Sequence, residues 1–167
     1  MVKEEALFLN GVYKDTLKEI LQIQKELPEH IMYLQPYSSE AIAHLRDDPP
    51  SSEEPVLLYI SITTDLSRVH YTAEIIGWDD KREIQGEKRN VLNRVIWTLQ
   101  PIETGLYDAS STGKPSVNLL HIRKLQSVDP FSVSKMIKTS DGMPHAEGRS
   151  QPGRWAYVKK DLAEQGG

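Results

Sequence analysis

The stretch "PVLLYISITTDLSRVHYTAEIIGWDDK", residues 55–81, decides how the chain folds. Its first half sets Val56, Leu58, Ile60 and Ile62 on one face against Leu57, Tyr59, Ser61 and Thr63 on the other, the period of two that marks a strand. "DLSR" follows as a polar turn. The second half alternates again, with Val69, Tyr71, Ala73 and Ile75 on one face and His70, Thr72, Glu74, Ile76 and Trp78 on the other. Two alternating runs joined this way predict an antiparallel hairpin. Gly77 reads as the point where the chain leaves the sheet, and Asp79 and Asp80 as a solvated turn beyond it.

Working outward, "EALFLNG" reads as a first strand closed by an Asn10-Gly11 turn. Residues 12–27 place Leu17, Ile20, Leu21, Gln24 and Leu27 along one stripe, which predicts a helix stopped by Pro28. "HIMYLQP" (30–36) predicts a strand ended by Pro36, and Ser38 or Ser39 then N-caps a short helix through "EAIAHL". The proline-, serine- and acid-rich segment 46–55 is an exposed loop within the domain. Val91, Leu92, Val95, Ile96 and Leu99 predict a helix over 84–99, with Trp97 assigned to packing. A strand is predicted over 116–128 and a short helix from Pro130 to Gly142. "RWAYVKK" (154–160) is a last strand, and residues 161–167 a flexible tail. The expected architecture is a single α+β domain over residues 1–160. It has about six strands in a small open mixed β-barrel or sheet with helices packed outside.

The chain has 167 residues, 38% of them hydrophobic, enough for one sizeable core. It holds no apolar run long enough to span a membrane and no basic-then-apolar N-terminus, so the reading is a soluble, cytoplasmic chain without a membrane partner. Cysteine is absent, which excludes disulfides, thiolate chemistry and cysteine-ligated zinc. The net charge is −4, but it is unevenly spread. Residues 1–113 carry 11 Lys and Arg against 19 Asp and Glu, whereas residues 114–160 carry 9 against 3, a local balance of +6. A basic face that attracts phosphates is one reading of that asymmetry, and a mixed solvated surface is the other.

Asp79-Asp80-Lys81 has the form of the acid-x-Lys element that binds Mg²⁺ and activates water in restriction-type nucleases. The spacing is poor. Asp65 sits at the other end of the hairpin, roughly 30 Å or more away at ~3.3 Å per residue, and Glu74 is still about 16 Å away along the strand. The five histidines never pair at metal-ligand spacing, and "SSTGKPS" (110–116) lacks the first glycine of a phosphate-binding loop. No catalytic residue, metal or cofactor is assigned, and a Mg²⁺-dependent nuclease using Asp79 and Lys81 is retained as the rival reading.

Aromatic side chains at strand ends can wall a slot in which a base stacks, each stacked base being worth ~1–3 kcal/mol. Tyr13, Tyr59, Trp78 and Trp155 are the candidate walls. For any one of them, plain packing is the commoner role. Strand, Asn-Gly and helix in "ALFLNGVYKDTLKEIL", the hairpin "PVLLYISITTDLSRVHYTAEIIGW" and the late "NLLHIRKL" with "DPFSVSKMI" resemble the element order of EVE domains in the PUA-like superfamily. "PFSVS" stands where those domains carry a Leu-Ser-Val phrase, while their N-terminal Tyr-Trp-Ile strand is replaced by "LFLNG". The resemblance implies a small open barrel whose cleft takes a base flipped out of nucleic acid, as in the related YTH and ASCH domains.

Carried over by position, that resemblance implies ligand contacts from Asn10, Tyr13, Tyr59, Ser61, Trp78 and Trp155. Phosphate contacts would come from Arg149, Arg154, Lys159 and Lys160. The function expected is a non-catalytic nucleic-acid-binding module that recognises a modified base, in DNA rather than RNA, within a restriction or defence system and beside a partner nuclease. A protein-protein interaction domain is the third reading.

Overall fold

The computed structural model describes residues 2–34, 39–80, 83, 87, 118–145 and 154–159. In chain order they form β1 (Glu5–Val12), α1 (Lys14–Glu26), β2 (Met32–Leu34), α2 (Ser39–Asp47), β3 (Val56–Ile62), β4 (Arg68–Asp79), β5 (Leu119–Ser132), β6 (Ile137–Lys138) and β7 (Arg154–Lys159). All seven strands join one mixed sheet in the order β2-β5-β4-β3-β1-β7-β6. The pairing of β1 with β3 is parallel and the other five are antiparallel. A parallel pair needs a crossover, and α1, β2 and α2 supply it.

β1 is apolar on both faces because both faces are covered. Leu7 and Leu9 point into the main core with Leu58, Ile60, Ala73, Ile75 and Ile122, which Leu17 and Ile20 of α1 and Ile42 and Leu45 of α2 close. Ala6 and Phe8 point the other way, into a smaller cluster with Tyr59, Val69, Val133, Met136 and Val158. α1 delivers its apolar stripe to the sheet, but Gln24 within that stripe serves a different purpose. Its side-chain amide donates to Leu125 O at 2.9 Å, and its Oε1 accepts from Leu125 N at 2.9 Å.

The hairpin forms as read, with Val56 opposite Ile75 and Ile60 opposite Tyr71. Three local features depart from the sequence reading. The chain does not turn at Asn10-Gly11: β1 runs on to Val12, and Gly11 absorbs an irregularity in the pairing with β3 at φ 85, where a side chain would be strained. Nor does it leave the sheet at Gly77. Ile75 faces Ile122 and Gly77 faces His121, so β4 spends two residues where β5 spends one, and the strand continues to Asp79. That bulge reverses the alternation, and Trp78 packs against the same core as Ile75 instead of joining Thr72 and Glu74. Val69 likewise parts from Tyr71 where the β4–β5 ladder is irregular and lies in the smaller cluster.

The helix expected from Pro130 to Gly142 is instead the end of β5, a single 3₁₀ turn over Val133–Lys135, and β6. Ser132 Oγ accepts from Ser134 N at 3.1 Å and caps that turn. Only one turn fits, because Val133 and Met136 must both reach the apolar cluster beneath Phe8. The predicted helix over 84–99, the 110–116 loop and the C-terminal tail lie outside the described residues. No helix among the described residues is long and apolar enough to cross a membrane.

Candidate ligand cleft at Trp155

The antiparallel pairing of β7 with β1 sets Trp155 opposite Leu9, Tyr157 opposite Leu7 and Lys159 opposite Glu5. Trp155 and Tyr157, two residues apart, therefore share a face, with ring centroids 5.8 Å apart and planes at 76°. α2 lays His44 against Tyr157, stacked at 3.8 Å and 30°. The three rings, with Glu5, Lys138, Thr139, Ser140 and Ala156, line a cleft of about 510 Å³, within the range of small-molecule sites.

The walls are fixed by hydrogen bonds. Tyr157 Oη donates to Ala41 O of α2 at 2.7 Å. Burial pushes that hydroxyl well above its ordinary range, and the carboxylate of Glu5 adds to the shift, so it stays protonated and keeps donating. His44 Nε2 donates to Glu5 Oε1. On the rim, Thr139 donates to Tyr157 O through its backbone N at 3.0 Å and through Oγ1 at 3.3 Å. Lys138 Nζ pairs with Asp141 at 2.9 Å, and this bond, with a further one from Met143 N, holds the Asp141 carboxyl below the usual range. A second cleft of about 430 Å³ shares Glu5, His44 and Tyr157 and is bordered by Lys3, Glu4, Asp48 and Glu54.

The residues expected to bind ligand are dispersed. Trp155 lines the cleft, but Tyr59 lies on the opposite face of the sheet, buried edge-on against Phe131 at 6.0 Å. Trp78 is partly buried on the core face, seven residues along β4 from Tyr71, whose row across the sheet contains Ile60, Leu9 and Trp155. At ~3.3 Å per residue that is roughly 23 Å along the strand. Tyr13 is 55% exposed at the start of α1. Asn10 and Ser61 meet, but inside the protein: Ser61 Oγ donates to Asn10 Oδ1 and accepts from Gly11 N at 2.9 Å. Arg154 pairs with Asn10 across the ladder, and Lys159 is exposed on the same strand. Arg149 and Lys160 lie outside the described residues.

Asp79 and Asp80 are not a solvated turn, being 4% and 2% exposed. Asp79 accepts from His121 Nε2 at 2.6 Å, and Asp80 pairs with Arg46, which also reaches Glu83 at 2.9 Å. Buried carboxylates require such partners. Among the described residues no three His, Asp or Glu side chains are grouped to hold a metal ion, and Lys81 lies outside them.

Tyr157, His44 and Glu5 were missed in the sequence. Tyr157 had a signal, since Trp155-Ala156-Tyr157 at the strand period puts two rings on one face. His44 and Glu5 had none, because only the docking of α2 brings residues so distant in sequence to Tyr157. No protein-family profile and no curated protein sequence matches this chain.

Proposed function

We propose that this chain is a nucleic-acid-binding module that takes an unstacked base into the Trp155 cleft. One observation carries the reading: a cleft of about 510 Å³ with an indole wall, backed by Tyr157 and rimmed by Lys138, a size and chemistry suited to a flat ring attached to a phosphate backbone. Among the described residues, a mixed sheet with two helices forms the α+β fold on which the EVE-type, PUA-like reading is built. Recognition of a modified base in DNA, beside a partner nuclease, is the form of the proposal that this resemblance carries. In it, the indole supplies stacking while Lys159, on the same face of β7, meets the backbone.

The test is fluorescence anisotropy with single-stranded oligonucleotides and with duplexes bearing one modified or unpaired base, at low salt. Trp155→Ala is expected to weaken binding by ~1–3 kcal/mol, and Trp78→Ala to leave it unchanged. Absence of any nucleic-acid affinity at low salt would sink the proposal and favour an interaction with another protein.

A further inference from the structure

We infer that Glu5 is the residue that selects the ring entering this cleft, and that it favours bases with an exocyclic amino group, adenine, cytosine or guanine, over thymine or uracil. The inference rests on the base-cleft reading and adds a chemical specificity to it. Glu5 and Trp155 both line the cleft. In the β1–β7 register they stand four residues apart, Trp155 opposite Leu9 and Glu5 at the level of Lys159. At ~3.3 Å per residue this is about 13 Å, room for one base stacked on Trp155 with its polar edge toward the carboxylate.

The carboxylate is oriented before any ligand arrives. Glu5 Oε1 accepts from His44 Nε2, and His44 is itself held by its stack on Tyr157, whose hydroxyl is tied to Ala41. With Oε1 engaged by His44, Oε2 is assigned to the ligand. An ionised carboxylate only accepts hydrogen bonds. The amino group of cytosine, adenine or guanine donates to it, whereas thymine and uracil carry a carbonyl oxygen at the position of the cytosine amino group, set acceptor against acceptor there and keep a single donor, N3–H. Phosphates have a separate place. Glu4, Asp48 and Glu54 outnumber Lys3, which pairs with the last two, around the neighbouring cleft and disfavour a backbone there, whereas Lys138 stands on the rim of the Trp155 cleft. The base must then enter from the Lys138 side, with its edge leading toward Glu5.

The experiment uses duplexes in which one central base, C, A or T, lies opposite an abasic site, and a fourth in which pyrimidin-2-one, cytosine without its amino group, replaces C. Affinity is read by anisotropy for the wild-type chain, Glu5→Gln and Trp155→Ala. The wild type is expected to bind the C and A duplexes about tenfold tighter than the T and pyrimidin-2-one duplexes. Glu5→Gln, whose amide can turn an N–H toward a carbonyl, should bring the C-to-T ratio close to one. Equal wild-type affinity for all four, with Trp155→Ala still weakening each, overturns the role of Glu5 and leaves the cleft reading standing. No binding, or no effect of Trp155→Ala, overturns both. The pyrimidin-2-one comparison needs no variant, so a wild type that fails to discriminate overturns the role of Glu5 even if Glu5→Gln fails to fold, which circular dichroism would reveal.

Discussion

Ser61 has the polarity of a ligand-binding residue and the surroundings of a structural one. Its hydroxyl donates to Asn10 and accepts from the N–H of Gly11, just where the left-handed glycine breaks the ladder between β1 and β3. Both demands come from the bulge, which leaves a buried N–H that must find an acceptor. Ser61→Ala is therefore expected to lower stability by about 1–3 kcal/mol, because it takes the hydroxyl acceptor from that buried N–H and a donor from Asn10 Oδ1. Urea unfolding measures the loss, and nucleic-acid affinity per folded molecule should not change; a variant as stable as the wild type would show that the Ser61 bond is not needed. The polar pair stood out in the sequence, but its direction did not, since Ser61 falls on the same alternating face as Tyr59 and only the bulge explains why it turns to Gly11. Gly77 is similar. A Cβ there would lie 3.1 Å from Nδ1 of His121, the imidazole that hydrogen-bonds buried Asp79, so the glycine serves this contact and not an exit from the sheet.

Elements were legible where period and length agreed, and illegible where a bulge reset the period. The hairpin, α1 and the final strand follow directly from alternation or stripe. β5 could not be read through to its end, since Thr72 faces Gln126 while Glu74 faces Arg123, and the extra residue is accommodated with Lys124 at φ 56. A non-glycine residue in that region is costly, and no residue type announces it. The same irregularity gives Gln24 its purpose, because Leu125 bonds through its N–H and C=O to the Gln24 side-chain amide. A glutamine in an otherwise apolar stripe was the visible sign. Gln24→Ala is expected to cost about 1–3 kcal/mol in urea unfolding, and Gln24→Glu a similar amount, because a carboxylate can accept from Leu125 N but cannot donate to Leu125 O. If Gln24→Glu matched the wild type, the donated half of the bond would contribute nothing.

At the scale of the whole molecule, the +6 segment is not one face. Its Arg123 and Lys124 lie on β5, second in the strand order, while Lys138, Arg154 and Lys159 lie on β6 and β7 at the other end. Arg123 is engaged by Glu74 at 2.9 Å and by Ser52 O at 2.7 Å, and Lys138 by Asp141. Sequence charge counts cannot see this division, because strand order differs from chain order. The electrostatic share of binding should accordingly be small. Of the basic residues described in this segment, those of β6 and β7 adjoin the Trp155 cleft, and about two to four phosphates neutralised there correspond to a slope of roughly −2 to −4 in log K against log salt. Lys159→Ala is expected to make that slope shallower by about one, since each phosphate contact releases about 0.9 of a counterion. Trp155→Ala should lower affinity equally at every salt concentration and leave the slope intact, because stacking releases no counterions. Anisotropy titrations from low to moderate salt separate the two effects. A slope unchanged in Lys159→Ala, or altered in Trp155→Ala, would mean that the backbone of the nucleic acid does not run along β7.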